Sequence, residues 1–184
     1  NDDDLPQCGV GLLSVATNVF FSPIQVTDSI QVIYHKILTA LQAIESMHQL
    51  GWIHGDLKAE HFRLYENSCR LIDFEQSYQL QPIQNLTATP HYMAPELFHG
   101  KPKTIQTDLY AFGIIVYEWL SQSKLTAKNY HEWAVLHCQK LEIKLPDELR
   151  CFLPLLTGLL QKHLKQRFSS AIEAKNCLNA IDLL

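Results

Sequence analysis

Residues 54–61 read His-Gly-Asp-Leu-Lys-Ala-Glu-His, which brings an aspartate, a lysine, a glutamate and two histidines into one short segment. Such groups can accept a proton, neutralise an anion or bind a cation, although Asp56 and Lys58 taken alone are also what a solvated loop carries. Seventeen residues after Asp56, an apolar run ends in Asp73-Phe74-Glu75. Further on stand Thr89-Pro90-His91-Tyr92-Met93-Ala94-Pro95-Glu96, then Asp108-Leu109-Tyr110-Ala111-Phe112-Gly113, and finally Arg167-Phe168. The nine histidines hint at metal, but the nearest approach to a zinc-protease motif, His131-Glu132, has Val135 where the second histidine belongs. Five cysteines, Cys8, Cys69, Cys138, Cys151 and Cys177, are scattered and form no C-x-x-C pair. They are expected as buried free thiols of a reducing compartment, and not as a disulfide framework or zinc site.

The elements that must hold these residues follow from pattern. Val10–Val15 and Val19–Ser22, on either side of Thr17-Asn18, predict a hairpin that Pro23 ends. Thr27-Asp28-Ser29 offers N-caps to a helix over 30–48, where Ile30, Ile33, Tyr34, Ile37, Leu38, Leu41, Ile44 and Met47 recur at helical spacing up to Gly51. The runs Phe62–Tyr65 and Arg70–Ile72, joined by Glu66-Asn67-Ser68, predict a second hairpin. The 54–61 segment is thus a loop between a long helix and a hairpin. Residues 75–93 lack periodicity and are expected to be one long ordered loop. A helix over 107–120 is apolar on nearly every side and therefore buried. Others are expected near 129–140, 147–163 and 169–183, the last opening on a capping box, Ser170-x-x-Glu173.

In order and spacing the segments resemble the C-terminal lobe of eukaryotic-like serine/threonine protein kinases, over roughly residues 10–184. The resemblance implies a mainly α fold, with short β-hairpins at the hinge and catalytic loop. It implies that residues 1–27 are a remnant of the N-terminal lobe with the hinge, and 28–184 the C-terminal lobe. It also implies ATP-dependent phosphoryl transfer to serine and threonine hydroxyls of a protein substrate, with ATP and magnesium as cofactors. Phosphoryl transfer is mostly positioning plus neutralisation of charge on the peripheral oxygens. In that scheme Asp56 matches the aspartate that takes or orients the hydroxyl proton, and Lys58 the lysine beside it. Asp73 and His61 fall at the metal positions, and Thr89 below the substrate shelf. Pro23, Ile24, Gln25 and Val26 fall at the hinge, and Leu64 and Ile72 border the nucleotide. Lys58 together with Thr89 resembles serine/threonine rather than tyrosine kinases. Glu96 and Arg167 resemble a buried ion pair behind the activation segment, and Asp108 a helix-start aspartate that accepts backbone N–H groups of the catalytic loop. Gly113 resembles a glycine that lets helices close up, and His54 and Phe74 match the lower part of the family's hydrophobic spine.

The pattern is broken in places. Gly55 stands for the arginine of H-R-D, which commonly pairs with a loop phosphate, so no phosphorylation gate is expected. His61 stands for an asparagine, and an imidazole is a poorer ligand for a hard, oxygen-preferring ion. Glu75 replaces a glycine. Arg63 occupies the apolar adenine-floor position, unless a one-residue slip puts Leu64 there. No G-x-G-x-x-G loop and no V-A-I-K-like lysine occurs in the 184 residues, so the N-lobe segment is expected as a missing partner and the isolated chain as inactive. Two other readings stand beside the protein kinase: a pseudokinase serving as a binding module, and an aminoglycoside- or choline-type small-molecule kinase, which lacks the Tyr92–Glu96 and Asp108–Gly113 segments.

Composition sets outer bounds. At 184 residues and 47% hydrophobic, 18% charged, the chain can bury a real core and is not a disordered tail. Fifteen Lys+Arg against nineteen Asp+Glu, net −4, argues against nucleic-acid binding. No apolar stretch approaches the roughly 20 residues of a membrane span, and a cytoplasmic location is expected. The chain opens on Asn1, not Met, which suggests trimming from something longer.

Overall fold

The computed structural model describes residues 18–79 and 88–181. Of the three N-cap candidates Ser29 takes the role, accepting the Val32 backbone N–H on its hydroxyl at 3.3 Å and satisfying a donor that a helix start leaves open. Helix α1 then runs Ile30–Gln49 and buries Ile33, Ile37, Ala40, Leu41, Ile44 and Met47. Each large aliphatic side chain buried on that stripe contributes about 1.5–3 kcal/mol relative to exposure. Gly51, at φ +77°, reverses the chain after the helix, a conformation that costs glycine no Cβ clash.

Strand β1 (Trp52–Ile53) leads into the 54–61 loop, and the hairpin of β2 (Phe62–Tyr65) and β3 (Ser68–Leu71) follows it. Glu66 and Asn67 both take positive φ, 46° and 61°, as a two-residue hairpin turn matched to strand twist requires. β1 pairs antiparallel with β4 (Tyr78–Gln79). That pairing falls inside the stretch expected to be one loop, because two-residue strands are too short to carry an alternation; residues 80–87 of it lie outside the described residues. The expected hairpin at 10–22 differs too. Its first arm, Val10–Val15, lies outside the described residues, and the second arm runs alongside β2: Val19 bridges Arg63, and Phe20 N–H donates to the Phe62 carbonyl at 2.9 Å.

The remainder is helical: α2 (Pro95–Phe98), α3 (Ile105–Ser121), α4 (Tyr130–Val135), α5 (Leu153–Leu159) and α6 (Ala171–Asn179). The mainly α fold with short antiparallel pairs is as expected. α3 is buried continuously from Thr107 to Leu120, with α5 packed on it and α6 packed on both α5 and α1. Gly113 permits that approach, since a Cβ there would stand 2.8 Å from Leu160 Cδ2 and 2.9 Å from Leu159 Cβ. The helix expected over 129–140 is α4 continued by a π-helical turn, Leu136–Lys140. The one expected over 147–163 is a 3₁₀ turn, Asp147–Phe152, followed by α5; Pro154 lacks the N–H that would bond back into a preceding helix. In α6 Ser170 caps the Glu173 N–H at 3.3 Å, but the Glu173 carboxylate returns to the Ser169 N–H and hydroxyl, so the reciprocal arm of the box lands one residue early.

Among the described cysteines, all free, only Cys69 is buried; Cys138, Cys151 and Cys177 are half-buried, which corrects the expectation of buried thiols. No helix among the described residues is long and apolar enough to cross a membrane.

Candidate active site

The loop after β1 is fixed from below by one carboxylate. Asp108, in the first turn of α3 and 1% exposed, accepts the backbone N–H of His54 at 2.8 Å and of Gly55 at 2.9 Å. His48, in the last turn of α1, presents Nε2 to the same carboxylate at 3.0 Å. Its Nδ1 is buried with no partner, so the proton belongs on Nε2, where it is donated. His54 has the same arrangement, with Nε2 3.1 Å from the Ile72 carbonyl and a bare buried Nδ1. Two imidazoles thus brace the loop, one against α3 and one against the chain entering Asp73.

Both oxygens of Asp56 are engaged. Thr89 donates to Oδ1 twice, from its N–H at 3.0 Å and its hydroxyl at 2.9 Å. Lys58 Nζ lies 3.1 Å from Oδ2. Burial pushes the Asp56 carboxyl up, but the Thr89 N–H, the Thr89 hydroxyl and the Lys58 ammonium together outweigh it and hold it below the ordinary carboxylate value. The group is therefore an anion at neutral pH, oriented by three donors and still 17% open to solvent. Such a carboxylate can orient a hydroxyl and receive its proton, and the lysine beside it can neutralise an anion.

Asp73 follows β3 at φ +64°, an uncommon conformation for a non-glycine residue. It heads a 3₁₀ turn, Phe74–Gln76. Glu75 is not among the positive-φ residues, so the backbone freedom lost with the family's glycine is not called on at 75. The Asp73 carboxylate is 46% exposed, and His61 Nε2 approaches Oδ2 at 3.2 Å. His61 stacks on His54 with centroids 5.3 Å apart, and His54 contacts the Phe74 ring at the same separation. Burial first, then His54, depresses the His61 pKa and keeps it neutral. Its Nδ1 is also buried without a partner, which favours Nε2–H donating to Asp73 over Nε2 offering a lone pair. An open carboxylate fits magnesium; a buried nitrogen turned donor does not. Among the described residues no three His, Cys, Asp or Glu side chains gather so as to hold a metal.

The residues expected around a nucleotide do not form one surface. Leu64 lies on the α1 side of β2, in a groove with Phe20, Val32, Lys36 and Thr39. The strand alternation turns Arg63 to the opposite face, Leu64 pairing with Cys69 and Arg63 with Arg70. Ile72 offers its carbonyl to His54. Pro23 instead lines a groove of about 290 Å³ with Phe21, Glu60, Tyr92, Glu118 and Trp119. Ser22, just before it, accepts the Trp119 indole N–H at 2.7 Å. Gln25 and Asp28 close a turn through Gln25 N–H to the Asp28 carboxylate at 2.8 Å, and Val26 at its tip is exposed.

The expected supports are in place. Arg167 grips Glu96 with two parallel bonds, 2.7 and 2.8 Å, and its remaining donors reach the Gln106 and Gln161 carbonyls. Sequence reading missed others. His48 sits on a helix face that periodicity marks as merely polar. His91 lies 2.6 Å from Glu118, and Lys103, in a Lys-Pro-Lys stretch that looks solvated, is only 5% exposed.

The protein kinase domain family profile matches residues 17–180. A probable serine/threonine-protein kinase of Dictyostelium discoideum is 34% identical over 118 residues, 62% of this chain and 9% of that protein. A cGMP-dependent protein kinase of Toxoplasma gondii is 40% identical over 80 residues, 42% of this chain and 8% of that one. Serine/threonine-protein kinase pakC of Dictyostelium discoideum is 32% identical over 116 residues, 60% and 23% respectively. The chain thus spans under a quarter of the length of each of these relatives.

Proposed function

The chain belongs to the protein kinase domain family, and we propose that the protein transfers the terminal phosphoryl group of ATP to serine and threonine hydroxyls of other proteins, in the cytoplasm. The single observation that carries this is Asp56: an anionic carboxylate held by Thr89 on one oxygen and Lys58 on the other. In this reading residues 28–184 are the C-terminal lobe and 1–27 the hinge and the end of the N-terminal lobe. A glycine-rich loop and a strand lysine would come from chain outside these 184 residues.

Asp56 orients the incoming hydroxyl and receives its proton. Lys58 presents positive charge beside the developing bond, where the transferred group carries charge on its peripheral oxygens. Asp73 would hold magnesium, which when bound neutralises the phosphates. His61, proposed at the same position, serves by donating to Asp73 and fixing its carboxylate. Thr89 holds Asp56 in the rotamer that faces the substrate. Ile72 and the face of β2 that carries Arg63 border the nucleotide, and Pro23–Val26 form the hinge.

The test is transfer of labelled phosphate from Mg-ATP to serine/threonine peptides by the intact protein and by Asp56→Asn. Loss of transfer by about a thousandfold or more in the variant, with Mg-ATP still raising its Tm, supports the reading. Full activity in Asp56→Asn removes Asp56 from the chemistry. Saturable stabilisation by Mg-ATP without transfer in the unaltered protein replaces the enzyme with a nucleotide-binding module. Transfer to amino-alcohols or sugars in place of peptides moves it to small-molecule kinases.

A further inference from the structure

Lys103 lies in the segment between α2 and α3, outside every motif the sequence presents. It is 5% exposed, and a buried ammonium is costly unless charges answer it. Burial depresses its pKa, and the carboxylates that oppose this are Asp56 and Asp108. Its position is set by Gly55. A Cβ built there would stand 3.1 Å from Lys103 Cδ, 3.2 Å from Lys103 Nζ and 3.0 Å from the Gln76 carbonyl oxygen. The lysine side chain therefore fills the room that any side chain at 55 would enter. The Lys103 carbonyl also accepts the Tyr78 hydroxyl at 2.8 Å. One residue thus meets the 54–56 loop, the 76–78 strand segment and the start of α3.

We propose that Lys103 is the positioning residue of the catalytic loop, its ammonium standing under Gly55 between the Asp56 and Asp108 carboxylates and holding that loop against the segment that follows Asp73. The proposal rests on the reading of Asp56 as the residue that receives the proton. Two anions hold the loop: Asp108, which receives its N–H groups, and Asp56, which Thr89 and Lys58 engage. The Lys103 ammonium is attracted to both carboxylates and adds to Thr89 and Lys58 in favouring the Asp56 anion. Position 55 carries glycine at φ +79°, and the cation enters from the other side of the loop, from 103. A charge built permanently into the fold needs no modification to create it, so the loop is held the same way at all times.

The experiment uses the intact protein, Lys103→Met (same length, no charge) and the pair Lys103→Ala and Lys103→Arg. The first readout is independent of turnover: the titration midpoint of the Asp56 carboxyl, followed by carbon-13 NMR. Lys103→Met is expected to raise it by about half a pH unit or more, and to lower kcat about tenfold with the KM for ATP within twofold. Lys103→Arg, which keeps a cation at position 103, is expected to hold the midpoint near the unaltered value, whereas Lys103→Ala stays raised. An unchanged midpoint in Lys103→Met overturns the proposal, whether or not Tm falls, because packing alone would then account for Lys103. If Lys103→Met does not fold, a Lys103→Arg midpoint as high as in Lys103→Ala overturns it equally. A raised midpoint in a protein that transfers no phosphate upholds Lys103 as the loop's cation and refutes the proposed function instead.

Discussion

Asp108 and His54 are 54 residues apart, yet the Asp108 carboxylate accepts the His54 backbone N–H at 2.8 Å. The Gly55 N–H and His48 Nε2 complete its set of donors. The loop that carries Asp56 is therefore hung from the buried helix α3 and not from its own sequence neighbours. In Asp108→Ala three donors lose their acceptor in a site closed to water. Each orphaned buried donor costs about 1–3 kcal/mol, so a loss of roughly 3–9 kcal/mol is expected, read as a fall in Tm of about 6 °C or more. Asp108→Asn keeps one acceptor oxygen and is expected to lose less than half as much. Equal Tm values for Asp108→Ala and the unaltered protein would show that the loop holds itself.

Thr89 and Asp56 form the second link, this time to the proposed chemistry. Thr89→Val keeps the shape and the backbone N–H but removes the hydroxyl that lies 2.9 Å from Asp56 Oδ1. The Asp56 pKa is expected to rise toward the ordinary carboxylate value. Its folded pKa is depressed, so the stability it contributes is present above the unfolded value and lost as pH falls through the folded one. In Thr89→Val the folded value lies nearer the unfolded one, so that contribution is smaller and its acid loss is complete at higher pH. Peptide phosphorylation is expected to fall about tenfold in kcat, with Thr89→Ser restoring most of it. Normal kcat in Thr89→Val would leave the hydroxyl a structural role only.

Glu96 and Arg167 test a different balance. Their side chains are 7% and 0% exposed, so removing one partner strands the other charge. Glu96→Met or Arg167→Met alone is expected to cost roughly 3–5 kcal/mol. The double variant Glu96→Met/Arg167→Met is expected to cost less than the sum of the singles, because no stranded charge is left. Chemical denaturation of all four proteins gives the cycle directly, and strict additivity would contradict a coupled buried pair.

The long elements were legible because α1 and α3 repeat their pattern over several turns: a one-sided stripe in α1 and an all-round apolar surface in α3. The short ones were not. β1 and β4 are two residues each and are specified by where α1 and the 54–61 loop deliver them. The 147–163 stretch looks like one helix by spacing, and Pro154 divides it. At the site, motif order brought out Asp56, Lys58, Asp73 and Thr89. Lys103 and His48 were invisible for one physical reason: a charged or polar residue is read as solvated unless its partner is known, and here Asp108 is 60 residues from His48 and Asp56 is 47 residues from Lys103.

His137 gives a pH dependence away from the site. It is fully buried, its Nδ1 lies 3.0 Å from the Tyr110 hydroxyl, and its ring stacks on Phe98 and Trp133. Burial drives its pKa down to about 4, so the folded protein holds the ring neutral where an unfolded chain would already protonate it. The unfolded state therefore binds the extra proton between about pH 6.5 and 4, and stability falls as pH drops through that window. The full loss across it is about 3 kcal/mol from this residue. Replacing the ring with one that cannot ionise, His137→Phe, is expected to flatten the unfolding free energy between pH 6.5 and 4 by roughly that amount, while costing about 1 kcal/mol at pH 7 for the lost Tyr110 hydrogen bond. Urea unfolding of both proteins at pH 7.0, 5.5 and 4.5 decides it. Parallel curves would mean that His137 takes up no proton on unfolding and that the acid sensitivity lies elsewhere.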